Sequence, residues 1–452
     1  LASHPISGRR RFWLDSSNST LSTTHRKGHM LEYFQEEIFD QIPGHIHTPF
    51  LKLAFLQDIP TDLAIEITGV NDVNKVLYDM FRANFFIDSL DDKQHVYRFQ
   101  HFFQEFLQIR ARDQFTPSDI AHIYNQELKY YLERNMIEKA LTCCKNGEDF
   151  AAMDEILEKE GMNLIAKNRA IYIFALLESI PENKLFQYGW LTLYAWLMQV
   201  DITPQATLMF FDSARKKFIE KEEEAGELIT LSQTIYFHFV VSGKYNIGST
   251  FLPRAEKLLE KLKISLPTPI IIMAARNLAS GYCFFNGNME KARHFITMAS
   301  TLATRHNIRN FIASTRFIQG YIELLSGNRT KYQREAEICF GLLNDPLVGE
   351  SNKLTMRVMH LCYLSMTGDH YNYDYQQKLL KRSINHKVID QTVAAPYLFI
   401  WSSSNLFSKG RTAQGLDLLG KSLGITSTAS TDHMHSQILQ WQAFGNALTG
   451  QY

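Results

Sequence analysis

The stretch Phe285-Asn286-Gly287-Asn288-Met289 separates two helical patterns with a glycine, and this kind of turn occurs five more times between residues 226 and 452. The other turn glycines lie 40 to 44 residues from their neighbours in the series: Gly243, Gly327, Gly368, Gly410 and Gly450. A helix commonly ends at a residue with positive φ, which glycine adopts without steric cost. A period of about 40 residues is typical of a solenoid in which each repeat is one helical hairpin.

The residues around these turns carry the spacing of amphipathic helices. After Gly287, one stripe is formed by Ala292, Phe295, Met298 and Leu302, and this three-to-four-residue spacing is that of a helix face. The sequence therefore predicts at least five tetratricopeptide-like hairpins after residue 226. Since the chain begins with Leu1 and stops two residues after Gly450, we also expect a piece of a longer protein whose last hairpin lacks its second helix.

The region from residue 30 to residue 114 has a different pattern. Helical faces, including one predicted from Phe50 to Leu56, are followed by alternating segments at 85–90 and 94–99 that predict a β-hairpin. A last amphipathic helix carries Phe102, Phe103, Phe106 and Leu107. Short helices followed by a small hairpin predict a winged helix at 30–114. Residues 115–225 are predicted to form a helical arm, because they are helical in pattern but lack the glycine period.

Composition limits the class of protein. Lysine plus arginine and aspartate plus glutamate are both 47, so the net charge is zero, whereas a nucleic-acid-binding chain has a basic excess. We therefore expect no direct nucleic-acid contact. No apolar stretch reaches the roughly 18 residues of a membrane span and no signal peptide is evident, so we expect no membrane contact and a cytoplasmic protein. The five cysteines are predicted to be free thiols of a reducing compartment.

One segment matches a nucleotide-binding motif by its letters. Residues 415–422, GLDLLGKS, fit the P-loop pattern, but a working P-loop follows a strand and is not helical. Here Leu416, Leu419 and Leu423 continue a helical stripe, so we expect no nucleotide binding at this segment. No metal-ligand spacing or catalytic motif is evident, and the chain is predicted to hold no metal and to be no enzyme. A helical enzyme whose catalytic residues lie far apart in sequence is left open.

Several short segments resemble a known family. They are YFQEEIF at 33–39, NFFIDSLDD at 84–92, YRFQHFF at 97–103 and YLERNMIEKAL at 131–141. These segments resemble the winged-helix region of MalT-like ATP-dependent LuxR-type transcriptional regulators. In that family a nucleotide-binding domain precedes the winged helix, and an arm and a tetratricopeptide-like superhelix follow. The resemblance implies that residues 1–29 are the tail of the nucleotide-binding lid. It also implies that ATP or ADP binds the parent protein, with no cofactor in this chain.

The resemblance assigns a role to two residues of the winged helix. A histidine of the family's winged helix faces the bound ADP, and His101, with Arg98 beside it, is the best-placed match. These two residues are therefore candidates for contact with a nucleotide switch. The alternative is that His101 only caps the last helix of the winged helix.

A column of arginines is a candidate ligand site in the repeats. Arg276, Arg316 and Arg357 each stand eleven residues before a turn glycine. Stacked inside a superhelix, they would form a basic ladder suited to an anionic ligand or an acidic peptide. The alternative is that their stems pack between hairpins while their charged ends reach water.

Together these features predict a regulatory and sensor fragment of a MalT-like signal-transduction ATPase. The superhelix would bind a small-molecule or protein inducer, and the winged helix would relay this event to the nucleotide-binding domain of the longer protein. Self-association of that protein is left open. The alternative is a tetratricopeptide scaffold that assembles other proteins without a nucleotide switch.

Overall fold

The computed structural model describes residues 34, 38–42, 44–93, 95–197, 204–383, 395–428 and 432–450. The predicted tail at 1–29 lies outside these residues. The chain divides into two compact units, Leu1–Glu148 and Asp149–Tyr452, which are described separately. Both are mainly helical, as predicted. No helix within the described ranges is long and apolar enough to cross a membrane.

The first unit contains a winged helix. A 3-10 turn at Phe39–Gln41 precedes the elements α1 (Gly44–Lys52), β1 (Ile59–Pro60), α2 (Thr61–Thr68), α3 (Val73–Arg82), β2 (Ile87–Ser89), β3 (Val96–Phe99) and α4 (His101–Gln114). The strands form an antiparallel sheet in the order β1-β3-β2. In its register Ile59 lies opposite Tyr97, and Ile87 lies opposite Phe99. The predicted hairpin is present, but β1 was missed because it is two residues long and ends in proline.

One predicted helix is displaced. The helix expected from Phe50 to Leu56 begins at Gly44 and ends at Lys52, and a 3-10 turn follows at Leu53–Phe55. Pro49 lies inside this helix, although a proline in a sequence usually indicates a helix boundary. Burial of Ile46, Phe50 and Leu51 accounts for the difference, because tertiary packing outweighs a weak local signal.

Aromatic side chains fill the core of the winged helix. The ring of Phe103, on α4, lies 5.4 Å from that of Phe34 and 5.6 Å from that of Phe99, both in edge-to-face geometry. All three side chains are buried. Such aromatic pairs stabilise the fold beyond the burial of apolar area. The first turn of α4, directly after β3, is therefore packed against the sheet.

Two further helices complete the first unit: α5 (Pro117–Glu133) and α6 (Ile137–Asn146). Thr116 caps α5 in a reciprocal capping box with Asp119. Near the other end of α5, the Tyr130 hydroxyl donates to Asp62 at 2.9 Å, and Arg134 pairs with the same carboxylate at 3.0 Å. These contacts join α5 to α2 of the winged helix.

The second unit begins with helices that lack the glycine period: α7 (Phe150–Ala166), α8 (Ala170–Glu178), α9 (Glu182–Leu185), α10 (Gly189–Leu197) and α11 (Pro204–Glu220). Close packing joins α7 to α10 at Gly161, where a Cβ would lie 2.4 Å from the ring of Tyr194. The structure divides the chain into compact units at one place, after Glu148. This division does not test the predicted domains at 30–114, 115–225 and 226–452, which stay predictions.

The superhelix consists of α12 (Glu224–Phe237) with a π-helical segment (His238–Ser242), α13 (Tyr245–Ser249), α14 (Leu252–Leu262), α15 (Thr268–Phe284), α16 (Met289–Arg305), α17 (Arg309–Leu325), α18 (Arg329–Gly341), α19 (Glu350–Thr367), α20 (His370–Ser383), α21 (Ala395–Ser408), α22 (Thr412–Thr428) and α23 (Asp432–Leu448). All six turn glycines have φ between +63° and +75°. The glycine period therefore marks the hairpin turns, as predicted.

The hairpins stack through contacts between neighbours in the series, such as α16 with α17 and α19 with α21. Small residues allow close approach: a Cβ on Gly320 of α17 would lie 2.2 Å from Cε of Met359 on α19. Elements far apart in sequence also meet: α23 touches the π-helical segment, and α7 touches α15 and α17. The last described hairpin thus packs against the first one of the superhelix.

Candidate ligand-binding site

A cavity of about 290 Å³ lies within the second unit. Its lining comes from the first helices of successive hairpins, namely α15, α17, α19 and α21, together with the end of α12, the π-helical segment and α23. In a solenoid, equivalent helices of successive repeats lie side by side and form one continuous surface. The cavity is therefore produced by the stacking of the repeats and not by any one of them.

Eight aromatic residues contribute to the lining: Tyr236, Phe239, Phe284, Phe317, Tyr321, Tyr397, Trp401 and Trp441. The rings of Phe317 and Tyr321 are 4.8 Å apart, and those of Trp401 and Trp441 are 6.1 Å apart. Flat apolar surfaces with few polar groups are typical of small-molecule sites. None of these aromatic residues was predicted as a site residue, because in sequence they read as hairpin core.

The polar residues of the lining are mostly held by the protein itself. The Thr355 hydroxyl donates to the Ser351 carbonyl at 2.9 Å, and the Asn352 amide donates to Asn310 Oδ1 at 3.0 Å. The Ser280 hydroxyl likewise donates to the Arg276 carbonyl at 3.1 Å. These bonds fix the polar side chains in place, so the surface of the cavity is largely preformed.

Arg276 is the predicted ladder residue that lines the cavity. Its Nε and Nη2 donate to Asn277 Oδ1 at 3.1 and 2.9 Å, and its guanidinium lies 5.9 Å from the centre of the Tyr236 ring. Asn277 is buried and donates in turn to the Ser232 carbonyl at 3.0 Å. The guanidinium is thus positioned by an amide that the neighbouring hairpin holds.

The other two ladder arginines do not line the cavity. Arg316 of α17 donates from Nη1 to both carboxylate oxygens of Glu335 on α18, at 3.2 and 3.3 Å. Burial raises the pKa of Glu335, while Arg316 acts in the opposite direction. Arg357 is half-buried on α19. The ladder as a ligand site stays a prediction, but the structure places one of its three members at the cavity.

Helix geometry explains this placement. One position lines the cavity in each of the helices α15, α17 and α19. It lies ten residues before the turn glycine and is occupied by Asn277, Phe317 and Val358. The arginines stand one residue earlier, which is about 100° around a helix. Arg276 still reaches the cavity from there. The sequence gives the period of the column, but the direction of the side chains depends on the packing of the helices.

A π-helical segment, His238–Ser242, borders the cavity through Phe239 and Val240. His238 is buried, its Nδ1 lies 2.7 Å from the Ser242 hydroxyl oxygen, and burial lowers the pKa of its imidazole to about 4. Short π-helical insertions occur frequently at functional sites. The sequence gives no local signal for this segment.

The candidate switch residues of the winged helix lie in the first unit. Arg98, on β3, donates from Nε to Asp58 Oδ1 at 2.9 Å, and Lys139 of α6 pairs with the other oxygen of this carboxylate at 2.8 Å. His101 is exposed as the first residue of α4, and its ring lies edge-on to Phe102 at 5.5 Å. The N-cap residue of α4 is Gln100, one residue before His101. The position of His101 in the helix therefore does not by itself give it the role of a cap.

The P-loop-like segment at 415–422 lies inside α22. Lys421 pairs with Asp417 one turn earlier at 2.7 Å, with both side chains exposed, and Ser422 is buried. In a helix the backbone N–H groups are bonded within the helix and cannot surround a phosphate. The letters of the motif therefore occur without its geometry.

The fold combines a winged helix with a tetratricopeptide-like superhelix, and the comparisons with known proteins agree with both parts. The family model of the MalT winged helix domain matches residues 35–119. The HTH-type transcriptional regulator MalT of Vibrio cholerae is 24% identical over 172 residues, which are 38% of this chain and 19% of that relative. These findings confirm the resemblance to MalT-like regulators.

A solved structure supports the architecture. The STAND protein (signal transduction ATPase with numerous domains) with a tetratricopeptide repeat sensor from Pyrococcus horikoshii superposes with a TM-score of 0.55 at 12% identity. The match covers 93% of this chain and 62% of that one. It shows a shared fold across both units. The chain thus shares its fold with that solved structure, and its match spans about a fifth of the MalT relative.

Proposed function

We propose that the chain is the regulatory and sensor part of a MalT-like signal-transduction ATPase that acts in the cytoplasm. Its superhelix would bind an effector in the cavity bordered by Arg276 and Trp401, and its winged helix would relay that event to a nucleotide-binding domain. The observation that supports this proposal most strongly is the cavity itself. It is formed by the first helices of successive hairpins, in a chain whose winged helix resembles that of MalT.

The position of the cavity suits a sensor. Its lining includes α23 and the π-helical segment, which also touch each other. We call the arrangement in which α23 touches the π-helical segment closed, and one in which they are apart open. A ligand that contacts both elements would favour the closed arrangement, to the extent that it binds this arrangement more tightly than the open one. Changing such an equilibrium from mostly open to mostly closed requires roughly 5 kcal/mol of differential binding, which an enclosed ligand can supply.

A screen of small metabolites tests the sensor function. Compounds should be mixed with the purified chain, and binding followed by the melting temperature and by the intrinsic tryptophan emission, to which Trp401 and Trp441 of the lining contribute. We expect some compounds to raise the melting temperature by a few degrees at saturation. Thr355→Trp, which fills the cavity, should abolish this effect. The matched control is Thr301→Trp, since Thr301 is exposed on α16 outside the lining.

The relay requires the longer protein. A compound identified in the screen should change the affinity for ATP or ADP by the same factor by which the nucleotide changes the affinity for the compound. His101→Ala and Arg98→Ala should reduce this coupling while leaving the affinity for the compound in the isolated chain intact. Equal binding in the two tryptophan variants would exclude the cavity as the sensor site. If the superhelix binds a partner protein and no small compound, the result would support the alternative function of a tetratricopeptide scaffold.

A further inference from the structure

Aromatic rings line the cavity of the superhelix in pairs. Three such pairs are Phe239 with Phe284, Phe317 with Tyr321, and Trp401 with Trp441, whose ring centres lie 4.3, 4.8 and 6.1 Å apart. They come from the π-helical segment with α15, from α17, and from α21 with α23. Because aromatic rings attract one another in stacked and edge-to-face arrangements, a flat ring in the cavity can contact rings of several hairpins. The lining therefore favours an aromatic ligand over a saturated one.

Polar side chains of the lining are bonded to the protein itself. The hydroxyl groups of Ser280, Ser314 and Thr355 each donate to a backbone carbonyl of their own helix, at 3.1, 3.3 and 2.9 Å. The Asn277 amide donates to the Ser232 carbonyl of α12 at 3.0 Å. A ligand rich in hydroxyl groups would compete with these bonds, because an enclosed polar group needs a partner of its own. An aromatic body makes no such demand.

Two polar atoms at the cavity have no hydrogen-bond partner among the described residues. They are Nε1 of Trp401 and the hydroxyl oxygen of Tyr321, and both are buried. Burial raises the pKa of Tyr321 well above its usual value and the Trp401 indole acts in the opposite direction, so the two groups are close together without the geometry of a hydrogen bond. Because a buried donor without an acceptor is unfavourable, an acceptor atom of a ligand would stabilise both groups.

The Trp401 ring is held firmly at this place. It packs against three separate clusters of buried core residues, which include Met356, Leu361 and Ile438 respectively. A binding group that its neighbours hold in place loses less entropy when a ligand arrives. At about 290 Å³, the cavity is at the lower limit of the roughly 300–1,000 Å³ of small-molecule sites, so the ligand has to be small.

We propose that the superhelix binds a small aromatic compound of one or two fused rings that carries a carbonyl oxygen at its edge. The ring would lie against the aromatic side chains of the lining, Phe317 among them. The carbonyl oxygen would accept from Trp401 Nε1 and from the Tyr321 hydroxyl. This ligand class rests on the proposed sensor function and narrows it to one kind of effector. It requires no contact with the arginine ladder.

Three uncharged probes test the ring and the carbonyl separately on the whole chain. They are 1-indanone, octahydroinden-1-one, which keeps the carbonyl on a saturated body, and indane, which keeps the aromatic ring without the carbonyl. Dissociation constants are measured by ligand-observed NMR titration. We expect 1-indanone to bind roughly tenfold more tightly than octahydroinden-1-one and roughly fivefold more tightly than indane.

Two variants assign these preferences to residues. Trp401→Phe keeps a ring and removes the N–H group, so it should reduce the preference for 1-indanone over indane and leave the preference over octahydroinden-1-one in place. A Trp401 that only supports the fold would instead weaken all three probes alike. Phe317→Leu removes a ring and should reduce the preference for 1-indanone over octahydroinden-1-one.

The matched control for Phe317→Leu is Tyr371→Leu, since Tyr371 is an aromatic residue exposed on α20 and outside the lining. It should bind all three probes as the wild type does. If a variant does not fold, the comparison of the three probes on the wild type still decides on the ring and the carbonyl.

The outcomes separate this ligand class from the sensor function. If the three probes bind equally, or if only a polyol such as glucose binds, and Thr355→Trp abolishes the binding, the cavity is a binding site but the aromatic carbonyl compound is wrong. If no probe binds up to its solubility, the aromatic carbonyl compound is wrong and the metabolite screen alone decides on the sensor function. Preferences that persist in both Trp401→Phe and Phe317→Leu would also overturn the proposal.

Discussion

At the scale of single residues, two buried carboxyl groups of the first unit show how pairing sets ionisation. Asp58 is buried, which acts to raise its pKa, but hydrogen bonds from Lys139 and Arg98 outweigh this effect and hold the pKa below its usual value. Glu127 is also buried, at 1% exposure, and no cation of the described residues forms a hydrogen bond to it. Burial raises its pKa to about 7, although the Cys143 thiol and the Gln57 backbone favour the charged form.

The raised pKa of Glu127 predicts a pH dependence of stability. Between the unfolded pKa of 4.5 and the folded value of about 7, the folded state binds the extra proton, so stability falls as the pH rises through this window. Glu127→Gln mimics the protonated group, and we expect it to stabilise the first unit at pH 8 by about 1–3 kcal/mol. At pH 4 it should be nearly neutral.

The change in stability is measured by urea titrations at pH 8 and pH 4. Pulsed hydrogen exchange of peptides from α5 and α6 reports the unfolding of the first unit. Glu133→Gln is the control, because Glu133 lies on the same helix but is exposed and should change stability little at either pH. An equal effect of Glu127→Gln at pH 4 and pH 8 would show that the group does not titrate in this window.

At the scale of the helical hairpin, the conformation of each glycine decides what a side chain would do there. Gly287 has φ of +67°, and an added Cβ would meet nothing within 4 Å, so only backbone strain opposes a substitution. Gly420 lies inside α22, again with nothing within 4 Å of an added Cβ, but with φ outside the left-handed region. The two positions therefore differ in backbone conformation and not in steric crowding.

Alanine at these two positions should have opposite effects. Gly287→Ala should destabilise the second unit by about 1 kcal/mol, since a Cβ disfavours positive φ. Gly420→Ala should stabilise it by about 0.5–1 kcal/mol, because alanine is the better helix former. Melting temperatures and urea unfolding of the two variants provide the test. Destabilisation by Gly420→Ala would indicate that the segment at 415–422 needs a conformation other than a helix.

At the scale of the whole superhelix, the contact between α23 and the π-helical segment departs from packing between neighbours alone. Trp441 lies on α23, where its ring packs 6.1 Å from Trp401, 5.8 Å from Phe444 and 6.4 Å from Phe407. It also lines the cavity. In a solenoid, a contact between distant repeats couples elements that would otherwise open independently.

This coupling can be measured by hydrogen exchange. Trp441→Ala should speed exchange in α23 and also in His238–Ser242, nearly two hundred residues earlier in the chain, because it weakens the packing that holds α23 in place. Leu439→Ala is the matched control, since Leu439 is about half exposed on the same helix and outside the lining. If exchange in the π-helical segment stays unchanged, the contact does not stabilise the superhelix.

The sequence by itself determined the local parts of this protein. The hairpins follow from glycines with positive φ and from apolar residues at helical spacing, which are properties of a few neighbouring residues. The β-hairpin of the winged helix and the motifs shared with MalT are local in the same sense. Where local signals were weak or absent, the prediction missed the two-residue strand β1 and the π-helical segment and displaced α1.

The cavity was decided by the tertiary structure alone. Its lining combines residues from helices as far apart in sequence as α12 and α23, and no short motif records that they meet. The arginine column shows why a period is not enough: a step of one residue turns a side chain by about 100°. Arg276 therefore lines the cavity while Arg316 pairs with Glu335. The direction of each helix face is set by packing against neighbouring repeats, which depends on the whole superhelix.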